Sequence, residues 1–119
     1  MSHSITLSEA VAMTRRFREN RETVLVPDQQ QKDLLPLSET FSKDAIQALL
    51  NKPDCTDLRI YYGMDEELKL HAIIVASDSN NNDILPTESD DEATEDDSIV
   101  DRGLRCPPQC PEPSPLNPS

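Results

Sequence analysis

Leu58, Ile60, Tyr62 and Met64 alternate with Arg59, Tyr61 and Gly63, and beyond Asp65-Glu66-Glu67 a second apolar run extends from Leu68 to Ala76. A period of two means a strand with one face turned inward, and two such runs around a polar turn make a β-hairpin. A three-residue loop would set Met64 against Leu68, Tyr62 against Leu70, Ile60 against Ala72 and Leu58 against Ile74, with all eight side chains on one face. Ile60 then sits at the centre of the core. Loops of that length usually take a Gly, and this turn has none. A hairpin alone is marginal in water, so other elements must cover its apolar face.

Two helices are available to do so. Thr6 followed by Glu9 fits a capping box that opens a helix over 7–20, with Leu7, Ala10, Val11, Thr14 and Phe17 on one stripe. Arg15, Arg16, Arg18 and Arg21 gather towards its end, where cations suit the helix dipole. They read as a solvated helix end, or as a dock for the chain's own acidic tail or for a partner's phosphate or carboxylate. Ser42 is the N-cap of a second, shorter helix, with Phe41 stapled on Ile46, and Lys52-Pro53 ends it. Thr23 to Val26 reads as an edge strand stopped by Pro27, residues 28–40 as a loop, and Ile84-Leu85 as a last short strand. The expected fold is α+β: a small two-layer domain, a hairpin with short edge strands packed by two helices. Its core is thin, and a homo-oligomer would relieve that thinness.

Charge divides the chain. Residues 1–76 hold 12 acids against 9 bases, whereas 77–119 hold 11 acids against Arg102 and Arg105 alone, within a net charge of −12. Low hydropathy with high net charge cannot offset the entropy of ordering. The expected division is therefore a domain at 1–85, an acidic disordered linker at 86–101 and a Cys/Pro-rich terminal peptide at 102–119. The opening residues show neither a basic stretch nor an apolar core of a secretory signal, so the expected compartment is the cytoplasm. The three cysteines are an odd number for a closed disulfide framework, and in a reducing cytosol their thiols stay free.

Few chemistries find their residues here. The chain lacks G-x-S-x-G, a phosphate-cradling glycine loop and H-E-x-x-H, which argues against an enzyme. A net charge of −12 also argues against nucleic-acid binding, which depends on an excess of Lys and Arg, and no apolar run is long enough for a membrane span. Asp78 to Asp83 imitates the start of a calcium loop, but Asp83 stands where Gly is needed and Ser89 where Glu is needed; an Asx-rich turn is the reading. Cys106-Pro107-Pro108-Gln109-Cys110 has C-x-x-x-C spacing, neither the redox C-x-x-C nor a zinc knuckle. Cys106, Cys110, Cys55 and His71 are the candidate metal ligands, with His3 as a further nitrogen. The same two terminal cysteines are candidates for a regulated or intermolecular disulfide. His71 is expected to face Tyr61 across the hairpin.

Phe41-Ser42-Lys43, the run Leu58-Arg59-Ile60-Tyr61-Tyr62-Gly63-Met64 and the ending Arg105-Cys106-Pro107-Pro108-Gln109-Cys110-Pro111 resemble a family of small hypothetical proteins of Bacteroidota-type bacteria. The resemblance covers the hairpin and the C-terminus and brings no activity or site residue with it. The function expected is a non-enzymatic interaction or adaptor protein without cofactor. It would present Arg105, Cys106, Pro107, Pro108, Cys110 and Pro111 to a protein partner. The alternatives are a metal- or redox-responsive protein using Cys106 and Cys110, or a precursor whose C-terminal segment is modified.

Overall fold

The computed structural model describes residues 3–86 and 99–118. Helix α1 spans Leu7–Asn20, strand β1 Ser38–Thr40, helix α2 Lys43–Leu50, and strands β2 to β6 Asp57–Met64, Leu70–Ser77, Asp83–Ile84, Ile99–Val100 and Leu104–Cys106. The class is α+β, as the sequence predicts. Both helix starts follow their local chemistry. The Thr6 hydroxyl accepts the Glu9 amide while the Glu9 carboxylate accepts the Thr6 amide, and the Ser42 hydroxyl accepts the Ala45 amide.

Strand β3 is the centre of the larger sheet. It pairs with β2 on one side and with β4 and β5 on the other, all antiparallel. The second sheet is the pair β1 and β6. The hairpin register differs from the expected one by two residues on β3: Met64 faces Leu70, Tyr62 faces Ala72, Ile60 faces Ile74 and Leu58 faces Ala76. A shift of two keeps every side chain on its face, so the face assignment survives while the loop lengthens. That loop is built by Asp65, whose carboxylate accepts the amides of Glu67 and Lys69, with Leu68 at a left-handed φ of 68°. His71 consequently faces Gly63, not Tyr61.

The core lies on β3 rather than across the hairpin. Leu49 of α2, Ile74 and Ala76 of β3 and Val100 of β5 are buried together, with Phe41, Ala45, Ile46, Cys55 and Ile84 packed around them. Because α2 packs there, the apolar face of β2 is left at the margin: Ile60 is 51% exposed and Tyr62 75%. The expectation of Ile60 as a core centre is corrected accordingly. Helix α1 buries none of its residues, and residues 21–24 form turns where an edge strand was expected.

The expected domain limit at 85 also needs correction. Val100 and Cys106 are buried, β5 pairs with β3, and β6 pairs with β1 as Ser38–Cys106, Glu39–Arg105 and Thr40–Leu104. Residues 99–118 thus return to the domain, and β1 lies inside the segment expected to be a loop. The acidic linker expected at 86–101 falls largely outside the described residues.

Candidate functional site

The return of the chain after residue 99 assembles two neighbouring features, a cysteine turn and a cluster of titratable side chains. Cys106 and Cys110 are disulfide-bonded, with their Cα atoms 4.6 Å apart. The free thiols expected at these two positions are therefore not found, and a disulfide sulfur is no longer the thiolate that zinc takes. Cys55 is the free cysteine; its thiol donates to the Asp57 carbonyl at 3.4 Å beside the α2 cluster. The four expected ligands do not converge.

Of the six residues expected to be offered to a partner, two are taken up by the fold. Cys106 is fully buried on β6. The Arg105 guanidinium donates to the carbonyls of Leu70 and Asp33, tying the returning segment to the start of β3. Pro108, Cys110 and Pro111 are exposed and Pro107 half-buried. Beyond them, Ser114 and Asn117 close a small turn, and the Leu116 carbonyl accepts the Arg18 guanidinium of α1 at 2.9 Å. Thus one of the helix-end arginines does hold the chain's own terminal segment, through a carbonyl rather than an acid. Arg21 pairs instead with Asp33 at 3.5 Å and donates to the Leu35 carbonyl.

The second feature occupies the edge of β3 where β5 stops. Ile74 is paired with Val100, but the backbone groups nearer the start of β3 need other partners. The Leu70 amide donates to the Leu34 carbonyl at 2.7 Å, and the Ala72 amide donates to Oε1 of Glu39 at 2.9 Å. Glu39 is thereby brought from β1 to His71 of β3 and to Asp101, which follows β5. One ligand atom from each of these three side chains lies within 4.8 Å of the others.

The imidazole is held from its far side. Nε2 of His71 is 2.8 Å from Oδ2 of Asp65, the residue that builds the hairpin loop. The bond from His71, followed by the backbone amides of Lys69 and Glu67, holds the Asp65 carboxyl below the ordinary carboxylate value. On the near side, Nδ1 of His71 and Oε2 of Glu39 are buried and have no hydrogen-bond partner among the described residues. Nδ1 lies 3.6 Å from Oδ1 of Asp101. Leaving a buried polar atom unpaired costs about 1–3 kcal/mol, so two in one place call for an explanation.

Sequence reasoning had His71 as a ligand but paired it with cysteines. Glu39 and Asp101 carry no local signal, because they belong to a three-residue strand and to the residue after a two-residue one. The Asp78 turn is as expected: its carboxylate accepts the amides of Asn80 and Asn82. Among the described residues no helix is long and apolar enough to cross a membrane. No protein-family model, curated protein or solved structure matches the chain.

Proposed function

We propose that this is a non-enzymatic, redox-responsive interaction protein. In its oxidised form the Cys106–Cys110 bond keeps the terminal segment against α1 and β1, and in its reduced form that segment is offered to a protein partner. The observation that carries this reading is the asymmetry of the bond: Cys106 is fully buried in β6, whereas Cys110 is exposed. An incoming dithiol reaches the Cys110 sulfur first. Its thiolate forms a mixed disulfide there and displaces Cys106 as a thiolate, which takes up a proton. The reductant's second thiol then closes on the first, leaving two cysteine thiols and an oxidised reductant. Closing a loop this short stabilises the folded turn by about 2 kcal/mol on the chain-entropy account, enough to bias docking without deciding the whole fold. A cytoplasmic placement fits this role, since disulfides in a reducing compartment are mostly transient or sensing.

Amide hydrogen exchange on the full chain tests the proposal. Under dithiothreitol, and in the Cys106→Ser/Cys110→Ser variant without reductant, amides of 111–118 should exchange at least tenfold faster while β3 is unchanged. Equal exchange in both redox states would overturn it.

A further inference from the structure

We infer that Glu39, His71 and Asp101 form a binding site for one divalent first-row transition-metal ion, with zinc as the reference ion. The inference is independent of the disulfide.

The first support is donor chemistry. Asp65 can only accept when ionised, so its bond to His71 places an imidazole hydrogen on Nε2, and the neutral form of that ring has its lone pair on Nδ1. Nδ1 lies 3.6 Å from Asp101, and one ligand atom each of His71, Glu39 and Asp101 lies within 4.8 Å of the others. Three electron-rich groups this close are stabilised by a cation among them. A carboxylate on the remote nitrogen is also the usual way in which a metal-bound histidine is fixed in tautomer and orientation.

Spacing separates the two cations that would serve. A proton on Nδ1 would have to reach Asp101 across 3.6 Å, beyond the roughly 2.7–3.2 Å of an N–H···O bond. A metal ion bonded at about 2.0–2.1 Å to tetrahedral ligands holds them about 3.3 Å apart, so the 3.6 Å pair fits nearly as it stands and the set, all within 4.8 Å, would close by at most about 1.5 Å. The two buried side-chain atoms left without a partner among the described residues, Nδ1 of His71 and Oε2 of Glu39, both belong to residues of this set.

The donor set selects the ion class. One imidazole nitrogen and two carboxylates are too few oxygens for calcium, which takes six to eight, and contain no thiolate for a soft monovalent ion. They suit zinc, manganese(II), iron(II) or cobalt(II). Three protein ligands leave a fourth position, and Asp101, the most exposed of the three, places it towards solvent. The ligands come from β1, from β3 and from the residue after β5, so the ion would join both sheets to the returning segment.

The test uses the full chain carrying Cys55→Ser, disulfide intact, stripped with a chelator and titrated with zinc chloride by calorimetry. One zinc per chain is expected, with the His71 Nδ1 nitrogen resonance shifted and Nε2 still protonated. Asp101→Asn and Glu39→Gln should each weaken binding at least tenfold, and their amide spectra report folding directly. Asp101 is exposed, so its variant keeps the test valid even if Glu39→Gln misfolds. The proposal is overturned if zinc binds both variants as it binds the parent chain, if it does not bind stoichiometrically, or if Nδ1 is unmoved at saturation.

Discussion

The tip of the Phe41 ring fills the space where a Cβ on Gly103 would stand: such an atom would lie 2.8 Å from Cζ and 3.0 Å from each Cε. Phe41 also packs against the core cluster beneath α2. One aromatic side chain therefore reads the core on one side and the entry to β6 on the other. Gly103 is there for close approach, since its φ is not positive.

Gly103→Ala should accordingly cost about 1–3 kcal/mol, the range for forcing extra atoms into a packed site. Urea denaturation measures it. Phe41→Leu in the same chain should recover part of the loss by vacating the contact. A Gly103→Ala variant as stable as the parent would mean that the returning segment does not rest on Phe41.

Val100 and Ile60 exchange the importance that their surroundings in sequence give them. Val100 is 8% exposed inside the Leu49–Ile74–Ala76 cluster, whereas Ile60 is 51% exposed on the margin strand. Val100→Ala should cost about 2 kcal/mol, from the lost methyl groups and the cavity they leave. Ile60→Ala should cost less than about 1 kcal/mol. Parallel denaturation curves check the order, and the reverse order would place the core under β2.

Why the sequence misplaces that core is instructive. Alternation from Leu58 to Met64 says that the strand has two unlike faces, but not which element lies over them. Leu49 selects β3 and β5, and that choice is tertiary. The helix starts were legible because Thr6, Glu9 and Ser42 act within one turn. Strands β1, β5 and β6 have two or three residues each, too few to show a period, and Ser38 meets Cys106 only through the topology. The candidate site fails to show for the same reason: His71 is conspicuous, while Glu39 and Asp101 look like ordinary surface acids.

Acid should weaken the β2–β4 connection in a defined direction. Asp83 of β4 accepts the Tyr61 hydroxyl and the Arg59 guanidinium of β2. The Tyr61 bond, then Arg59, holds the Asp83 carboxyl below its ordinary value, and the same bond pushes the Tyr61 hydroxyl up. A lowered carboxyl contributes stability that is present above its unfolded value of about 3.9 and is lost as pH falls through the folded one. A raised phenol contributes stability present below about 10 and lost as pH rises through its folded value. Melting temperatures of the parent and Asp83→Asn should therefore differ by a constant amount near neutrality and converge below about pH 4. A gap that does not begin to narrow as pH falls below about 4 would show that the carboxylate charge is not what joins the strands.

The hairpin loop offers the reverse kind of change, a stabilising one. Leu68 holds φ 68° between two anchored points, its own amide on the Asp65 carbonyl at 2.9 Å and the Lys69 amide on the Asp65 carboxylate at 3.0 Å. A leucine in the left-handed region costs about 1–2 kcal/mol relative to a residue that tolerates it. Its side chain is 45% exposed, so burial returns only part of that cost. Asn visits this region readily and avoids the larger unfolded-state entropy of Gly. Leu68→Asn should therefore stabilise the chain by about 0.5–1 kcal/mol, read as a higher urea midpoint at unchanged slope. Asp65→Asn in the same background should cancel the gain, because the loop conformation that rewards the Leu68→Asn change is the one the Asp65 carboxylate holds. A midpoint that falls on Leu68→Asn would show that the side chain's contacts outweigh the strain of its backbone.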